Sequence, residues 1–498
     1  MAESKKKSIV HSALWVYGKM LVVQLLNIVA IGILARKLSI DDFGLVALST
    51  VFMAFLSIIA SQGINQFVIY DKDAGFEERV SAAFWLSLVI SIGAIVIGGA
   101  LAPLVSQFYE EPLLKWILWV LLLRFPLESI AQIPDAILNK RLEFKPLEIR
   151  DTVLQVIAIL ISIFMAFDGY GVWALVIPSL LILPFKAITS FYLAKWRPAF
   201  KLGLSHWKRI FKYSSNVMGG SFVYFIVSQG DTLLVGKVLG TTMLGIYDIA
   251  WKASNIVSRN VVNLSNKLSF PYLASLADKR EGFINALNRL FKILSSVTFP
   301  ILFLLMILAE EFVITLYGPK WGEAILPLQI LLIYAIRYSV GAPIGAAFKA
   351  YGRPDMVFKI GLATIPFYLI SIWIGSFWGI IGVAIGVTIV RTLIGLISFF
   401  ILGNILKCST MAFFNAMKDA ALASLTTGLI IIFVKKGLVA NLDWPIPLKF
   451  FILFGLGALV YYILIRQVFR SIAEEFAKIA FKLVGRNNLI IKKVLNVH

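Results

Sequence analysis

Apolar runs follow one another along almost the whole chain, broken only by short polar segments. Each run is close to or above the ~20 residues that an α-helix needs to cross a bilayer core. About 14 such spans can be drawn, at 12–35, 43–69, 80–106, 113–138, 147–167, 170–194, 211–238, 244–273, 290–317, 324–350, 357–377, 379–403, 412–434 and 446–468. The segments between them alternate in charge. The N-terminus, NKRLEFKPLEIR, KWRPAFKLGLSHWKRIFK, ADKREGFINALNRLFK, KAYGRPDMVFK and the C-terminal tail carry about four times as many Lys and Arg as the intervening set of loops. The positive-inside rule places the richer set, and with it both termini, in the cytoplasm.

Composition gives the same class. Of 498 residues, 59% are hydrophobic and only 15% charged, with a mean hydropathy of +0.88, against roughly 25% charged in soluble domains. A net charge of +20 would suggest nucleic acid in a soluble protein. Here the basic residues fall mostly in short loops, so no nucleic-acid partner is expected. A single cysteine, Cys408, excludes an internal disulfide, and the three histidines form no ligand motif. Neither a metal site nor another cofactor is expected.

The chain also matches itself. A shift of 201 residues carries Arg36 onto Lys237, Leu38 onto Leu239, Gly44 onto Gly245, Gln62 onto Asn263 and Asn65 onto Asn266. A shift of 213 carries Arg124 onto Arg337, and one of 211 carries Gly171-Val172 onto Gly382-Val383. Spans 1–6 and 7–12 therefore read as two parallel six-helix repeats related by an axis along the membrane normal. The predicted architecture is an all-α polytopic membrane protein: two six-helix lobes (1–194 and 211–405) around a central cavity, then two more helices (406–470). An amphipathic cytoplasmic linker at 195–210 would join the lobes, and a tail of similar character would follow at 471–498. The corners RKLSIDDFGL (36–45) and GKVLGTTMLGIY (236–247) are equivalent outer turns in this scheme. Asp41 and Asp42 suit the start of a helix there, and Gly44 suits close packing.

Charges inside spans mark function, because Lys, Arg or Asp at a helix centre costs roughly 2.5–3.5 kcal/mol by insertion scales. Span 8 places Asp248, Lys252, Asn255, Arg259, Asn263 and Asn266 at spacings of 4, 3, 4, 4 and 3. That is one stripe within about 80° of arc and about 27 Å long. Turned to lipid, its three charges alone would cost roughly 8 kcal/mol, so the stripe is expected to line a water-filled cavity or a polar seam. Span 4 carries Arg124, Glu128 and Asp135. Lys19, Asp231, Arg337 and Arg391 lie deep in other spans, whereas Lys186 and Lys349 sit near cytoplasmic ends, where they can snorkel.

The deep set is mainly basic, and Arg favours phosphate through bidentate hydrogen bonds. Lys19, Arg124, Lys252, Arg259, Arg337 and Arg391 are thus the expected anion-binding residues. Gln62, Asn65, Asn255, Asn263 and Asn266 are the polar lining, and Glu128, Asp231 and Asp248 are carboxylates available for H+ or Na+ coupling. No phosphate-binding glycine loop for ATP occurs. Asp71-Lys72-Asp73 is formally a D-x-D, but no sugar-nucleotide fold surrounds it. No catalytic residue is expected.

ARKLSIDDFGLVALSTVF, DTLLVGKVLGTTMLGIYDIAWK, YGVWALVIPSLL and AYGRPDMVFK resemble characteristic stretches of bacterial polysaccharide flippases of the O-antigen and colanic-acid type, within the multidrug/oligosaccharidyl-lipid/polysaccharide exporter superfamily. The resemblance is distributed over most of residues 10–405. It implies alternating access in the bacterial cytoplasmic membrane and a polyprenyl-pyrophosphate-linked oligosaccharide as cargo, for cell-surface polysaccharide synthesis. Membrane lipids, a polysaccharide polymerase and a chain-length regulator are the partners it implies. The alternatives are a cation-coupled multidrug exporter of the same superfamily, which would suit an acidic or apolar cavity better than a basic one, a membrane enzyme, which would need a longer outer loop, and a scaffold for a cell-envelope complex, which would leave the buried charges unexplained.

Overall fold

A computed structural model describes residues 23–60, 64–70, 76–200, 204–439 and 442–484. Lys19, Gln62, Asp71-Lys72-Asp73 and the tail beyond 484 lie outside the described residues. Everything regular among the described residues is helical. Among the described residues ten helices are long and apolar enough to cross a membrane: Ile40–Ala60 (α2), Glu77–Tyr109 (in α4, Phe76–Tyr109), Phe144–Phe167 (α7), Trp173–Ala194 (α8), Arg280–Ile307 (α11), Pro319–Ala350 (containing α13, Ile325–Ala350), Pro354–Ser376 (α14), Gly379–Ile405 (α15), Thr410–Val439 (containing α16, Thr410–Val434) and Ile446–Gln467 (α17); the short helix Ala309–Leu316 (α12) follows α11.

The four remaining drawn spans each have a physical reason for falling outside this set. The first is described only as 23–37 (α1). The fourth is broken at Leu123 into α5 (Pro112–Leu122) and α6 (Arg124–Lys140), because Pro126 denies the helix an amide donor at the join. The seventh and eighth, α9 (Leu204–Val238) and α10 (Gly240–Ala274), are long enough at 35 residues each but carry too many polar side chains. The drawn second span also ends early: α2 stops at Ala60, and Ile64–Tyr70 is a separate helix, α3.

Contacts group the described residues up to Asp248 into one compact unit and those from Ile249 onward into a second. In the first unit α7 packs on α8, α6 on α8 and α4, and α9 on α2, α3 and α4. The helix α9 therefore packs with the first unit, although the sequence places the lobe boundary at the linker before it. Only 195–200 of the described linker is irregular, and α9 has already begun at Leu204. That segment is fastened to the unit. Lys195 takes a left-handed conformation (φ 49°), Trp196 stacks on Phe191 with ring centroids 6.2 Å apart, and Trp85 Nε1 donates to the Ala199 carbonyl at 2.8 Å.

The corner 36–45 starts a helix as the sequence suggests, and the segment 236–247 lies against it. Ser39 and Asp42 cap α2 reciprocally, Ser39 N–H to Asp42 Oδ2 at 2.9 Å and Asp42 N–H to Ser39 Oγ at 3.1 Å. Thr242 Oγ1 donates to Asp41, Thr241 Oγ1 donates to Glu111 Oε1 at 2.6 Å, and Lys237 Nζ reaches Glu110 Oε1 at 3.1 Å. Between them the backbones touch. A Cβ on Gly44 would lie 2.0 Å from the Thr241 carbonyl oxygen, and one on Gly245 would lie 2.3 Å from that of Ile40. Both contacts obey the 201-residue shift: Gly44 and Ile40 correspond to Gly245 and Thr241.

In the second unit Phe283, Phe291, Phe399 and Phe413 are completely buried. Phe291 sits 5.2 Å from Phe399 and 5.4 Å from Phe413, joining α11, α15 and α16. Such aromatic pairs contribute about 0.5–1.5 kcal/mol each beyond their burial. Helix α16 turns Phe413, Met417, Ala420, Ser424, Thr427 and Ile431 inward, a 3–4 spacing that buries one stripe. Helix α18 (Arg470–Val484) continues into the tail and is held by an Arg289–Glu475 ion pair at 2.7 Å, with Ile472, Ala473 and Ala477 buried.

Candidate functional site

The polar residues singled out in the sequence fall into three places. The first is in the second unit, where α10, α13 (Ile325–Ala350), α14 and α15 bring together Arg337, Arg391 and four aromatic rings. Arg391 sits over Trp251, Tyr334 and Tyr368, 5.0, 5.2 and 4.5 Å from the ring centroids. It donates to Tyr368 Oη at 2.6 Å and Tyr334 Oη at 3.2 Å. Arg337 lies 5.7 Å from the Tyr334 centroid, and Tyr334 stacks on Trp251 and Tyr338. Two guanidinium groups thus share one ring, and among the described residues Arg337 Nε has no hydrogen-bond partner. Room for Arg337 comes from Gly395, whose Cβ would fall 2.1 Å from its Nη1. Two like charges held this close in a low-dielectric environment repel, and a bound anion would relieve that repulsion.

The second place is α10. Lys252, Arg259, Asn263 and Asn266 are exposed, and Asn255 and Asp248 are half-buried, whereas Ser254, Ser258, Ser265 and Ser269 are buried. The polar stripe is therefore the side of the helix that its own unit leaves open, and the small serines make the packed side. Asn255 spends its amide on the Trp251 carbonyl at 2.9 Å.

The third lies in the first unit: a cleft of about 420 Å³ among α1, α6, α7 and α8. Arg124 and Glu128 line it, with Arg124 Nε donating to Glu128 Oε1 at 2.7 Å. Asn27, Asp151, Gln155 and Lys186 complete its polar wall, and Gln155 Nε2 donates to Asn27 Oδ1 at 3.2 Å. Asp135, on the same drawn span as Arg124, faces elsewhere. It forms a bidentate pair with Arg150 at 2.7 and 2.9 Å, and Arg150, 7% exposed, also holds Asp151 and Ser190.

Two expected residues stand apart from all three. Asp231 is buried and accepts from Tyr247 Oη at 3.0 Å and the Thr232 amide at 2.9 Å. Asn65 is half-buried on α3, and among the described residues its Oδ1 has no partner. Sequence reasoning missed the aromatic half of the arginine cluster, although Tyr334, Arg337 and Tyr338 at i, i+3 and i+4 were a readable signal. It also left Arg150 among loop charges, and Asn27 and Gln155 unremarked.

The comparisons with known proteins agree with this helical arrangement. The model of the family described as "Polysaccharide biosynthesis protein" matches residues 33–326, more than half of the chain. The chain belongs to that family. Among curated relatives, the teichuronic acid biosynthesis protein TuaB of Bacillus subtilis (strain 168) is 26% identical over 85% of this chain and 88% of its own length. The lipopolysaccharide biosynthesis protein WzxC of Escherichia coli (strain K12) is 24% identical over 80% and 82%. Among solved structures, the inward closed conformation of the lipid II flippase MurJ covers 91% of this chain and 98% of its own, with a TM-score of 0.69 at 18% identity. An inward-facing multidrug resistance MATE family transporter reaches 0.64 at 15% identity, covering 77% and 94%. At these identities both structures show that this family member shares the fold.

Proposed function

We propose that the chain is a flippase that carries a polyprenyl-pyrophosphate-linked oligosaccharide from the cytoplasmic to the outer leaflet of the bacterial cytoplasmic membrane, for cell-surface polysaccharide synthesis. The observation that carries this reading is the paired Arg337 and Arg391 among four aromatic rings within spanning helices. Guanidinium groups bind phosphate oxygens through parallel N–H donors, which matches a pyrophosphate and opposes a cationic drug. The relatives' names support the same cargo class, since TuaB is named for teichuronic acid biosynthesis and WzxC for lipopolysaccharide biosynthesis.

In this reading residues 1–194 and 211–405 are the two lobes, with both termini cytoplasmic. The open stripe of α10, with Lys252 and Arg259, continues the basic surface toward the same cargo, and Asn263 and Asn266 offer it hydrogen bonds. The touching corners at Gly44 and Gly245 close the outer end. Rocking of the lobes would expose the cavity to each side in turn and release the cargo outward. Asp248 and Asp231 are the carboxylates through which H+ or Na+ would drive that step, and a polymerase and a chain-length regulator would act on the delivered repeat unit.

The test is leaflet transfer in proteoliposomes of a fluorescent lipid-pyrophosphate oligosaccharide, with and without H+ or Na+ gradients. Arg337→Gln and Arg391→Gln are expected to reduce transfer at least tenfold each. Unchanged rates in both variants would remove the arginine pair from the mechanism. Export of cationic dyes by wild-type protein that transfers no lipid would replace the reading with the multidrug one.

A further inference from the structure

We propose that the cleft within the first unit is a sugar-binding subsite for a neutral, hydroxyl-rich ring. The inference rests on the flippase reading for its biological meaning, but its chemistry is local. The cleft holds about 420 Å³, within the ~300–1,000 Å³ typical of small-molecule sites. Its charged wall consists of two cations, Arg124 and Lys186, and two carboxylates, Glu128 and Asp151.

The charges balance, and their partners are largely built in. Arg124 pairs with Glu128 at 2.7 Å. Asp151 is held by Arg150 at 2.8 Å, and Arg150 is anchored in turn by Asp135. A cationic ligand would meet Arg124 and Lys186, and an anionic one would meet Glu128 and Asp151. Either would add a net charge to a wall whose own charges already balance, and with Arg124, Glu128 and Asp151 46%, 38% and 51% exposed an ion pair formed there returns little. An apolar ligand would fit the apolar part of the lining but would leave the donors and acceptors of its charged and amide groups unanswered. A neutral ligand that both donates and accepts matches the wall.

The neutral polar groups narrow the class. Gln155 Nε2 donates to Asn27 Oδ1 at 3.2 Å, and Asn27 Nδ2 donates to the Val23 carbonyl at 2.9 Å. The amide pair is thereby fixed, leaving Gln155 Oε1 as an acceptor and a second Nε2 proton as a donor. Carboxylates, guanidinium and an oriented amide, alternating as acceptors and donors, suit the closely spaced hydroxyls of a sugar. Hydrogen bonds to charged groups are roughly twice as strong as neutral ones. Leu154 and Ile182, on the apolar remainder of the wall, suit the C–H faces of such a ring. Arg124 and Glu128 thus act together on a sugar rather than separately on pyrophosphate and a coupling ion.

The experiment uses the full chain in lipid nanodiscs. Saturation-transfer NMR is recorded with methyl glucoside and methyl galactoside as neutral probes, glucuronate as the anionic probe and choline as the cationic one. At least one neutral glycoside is expected to receive saturation, falling at least fivefold in Gln155→Leu and in Asn27→Leu, with no comparable residue-dependent signal from glucuronate or choline. Lys186→Met, at a half-exposed position, serves where either amide variant elutes aggregated. No transfer to any neutral glycoside, or full transfer in every well-folded variant, overturns the subsite, as does a residue-dependent signal from glucuronate or choline alone. Leaflet transfer measured on the same preparations separates the two readings. Active lipid transfer with no variant-sensitive sugar signal sinks the subsite alone. A variant-sensitive sugar signal in protein that moves no lipid sinks the flippase alone.

Discussion

The corner contact allows a worked prediction. In Gly44→Ala the new methyl would start 2.0 Å from the Thr241 carbonyl oxygen, and in Gly245→Ala 2.3 Å from that of Ile40. An ordinary contact begins at 3.4 Å, so the two corners must part by 1.4 and 1.1 Å respectively. Backbone atoms block both positions, so no side chain can swing aside. Overpacking of this kind costs about 1–3 kcal/mol. Parting also strains the Thr241–Glu111 hydrogen bond, a net contribution of roughly 1 kcal/mol, whereas the Thr242–Asp41 bond is already absent from the cysteine pair of the assay. A total near 2 kcal/mol shifts the ratio of touching to parted corners about thirtyfold. The assay is oxidative cross-linking in membranes of the pair Asp41→Cys and Thr242→Cys, whose native side chains are in contact. The cross-linking rate is expected to fall at least tenfold when either alanine is added. Gly93→Ala and Gly99→Ala, where an added Cβ meets nothing within 4 Å, are expected to leave it unchanged. Parental rates in both corner variants would refute the claim that backbone proximity holds this corner contact at a small energy margin.

Three further outcomes follow from other contacts. Gly395→Ala places a methyl where the Arg337 guanidinium sits, so it should reduce lipid transfer at least fivefold in proteoliposomes while the thermal midpoint moves by under a few degrees, because the displaced atoms end a flexible side chain. Asp135→Asn removes the bidentate partner of buried Arg150. Breaking such a pair costs about 3–5 kcal/mol. Asp151 keeps part of the compensation, so about 2–3 kcal/mol and a midpoint lower by roughly 5–10 °C are expected in scanning fluorimetry. Burial pushes the Cys408 thiol above its usual range, more than Arg280 lowers it. The fold therefore favours the neutral thiol, a preference kept below the ordinary thiol pKa and lost as pH rises through the higher folded value. Maleimide labelling at pH 8 should be slower than for an exposed thiol, with its rise displaced to higher pH.

How far the chain could be read from its letters depended on what each residue was solving. The apolar runs predict most helices because a bilayer imposes one length on them, and α7, α8, α14 and α15 lie close to the drawn limits. The break at Leu123 was written in Pro126, but whether such a proline kinks or splits a helix is decided by its neighbours. The stripe on α10 was legible because burial and polarity share the helical period. The arginine cluster was half legible. A charge deep in a span stands out, but Trp251, Tyr334 and Tyr368 are unremarkable among so many apolar residues, and only packing brings three helices' rings around Arg391. Arg150 was misplaced because its position at the start of α7 looks like a loop charge until Asp135, fifteen residues back, closes on it. The cleft could not be seen at all: Asn27 and Gln155, 128 positions apart, meet only in three dimensions.

The reciprocal contact at Gly44 and Gly245 has the form of an interface between two identical subunits, in which each patch binds its own copy. In a true homodimer the residue at position 41 would face near its twin, acid toward acid or hydroxyl toward hydroxyl. Joined in one chain, the two corners are free to differ, and here one carries Asp41 where the other, 201 residues on, carries Thr242. A donor thus meets an acceptor where a strict two-fold would set like against like. Covalent linkage opens that corner to independent tuning, one side at a time, with a complementarity that no assembly of identical protomers could encode.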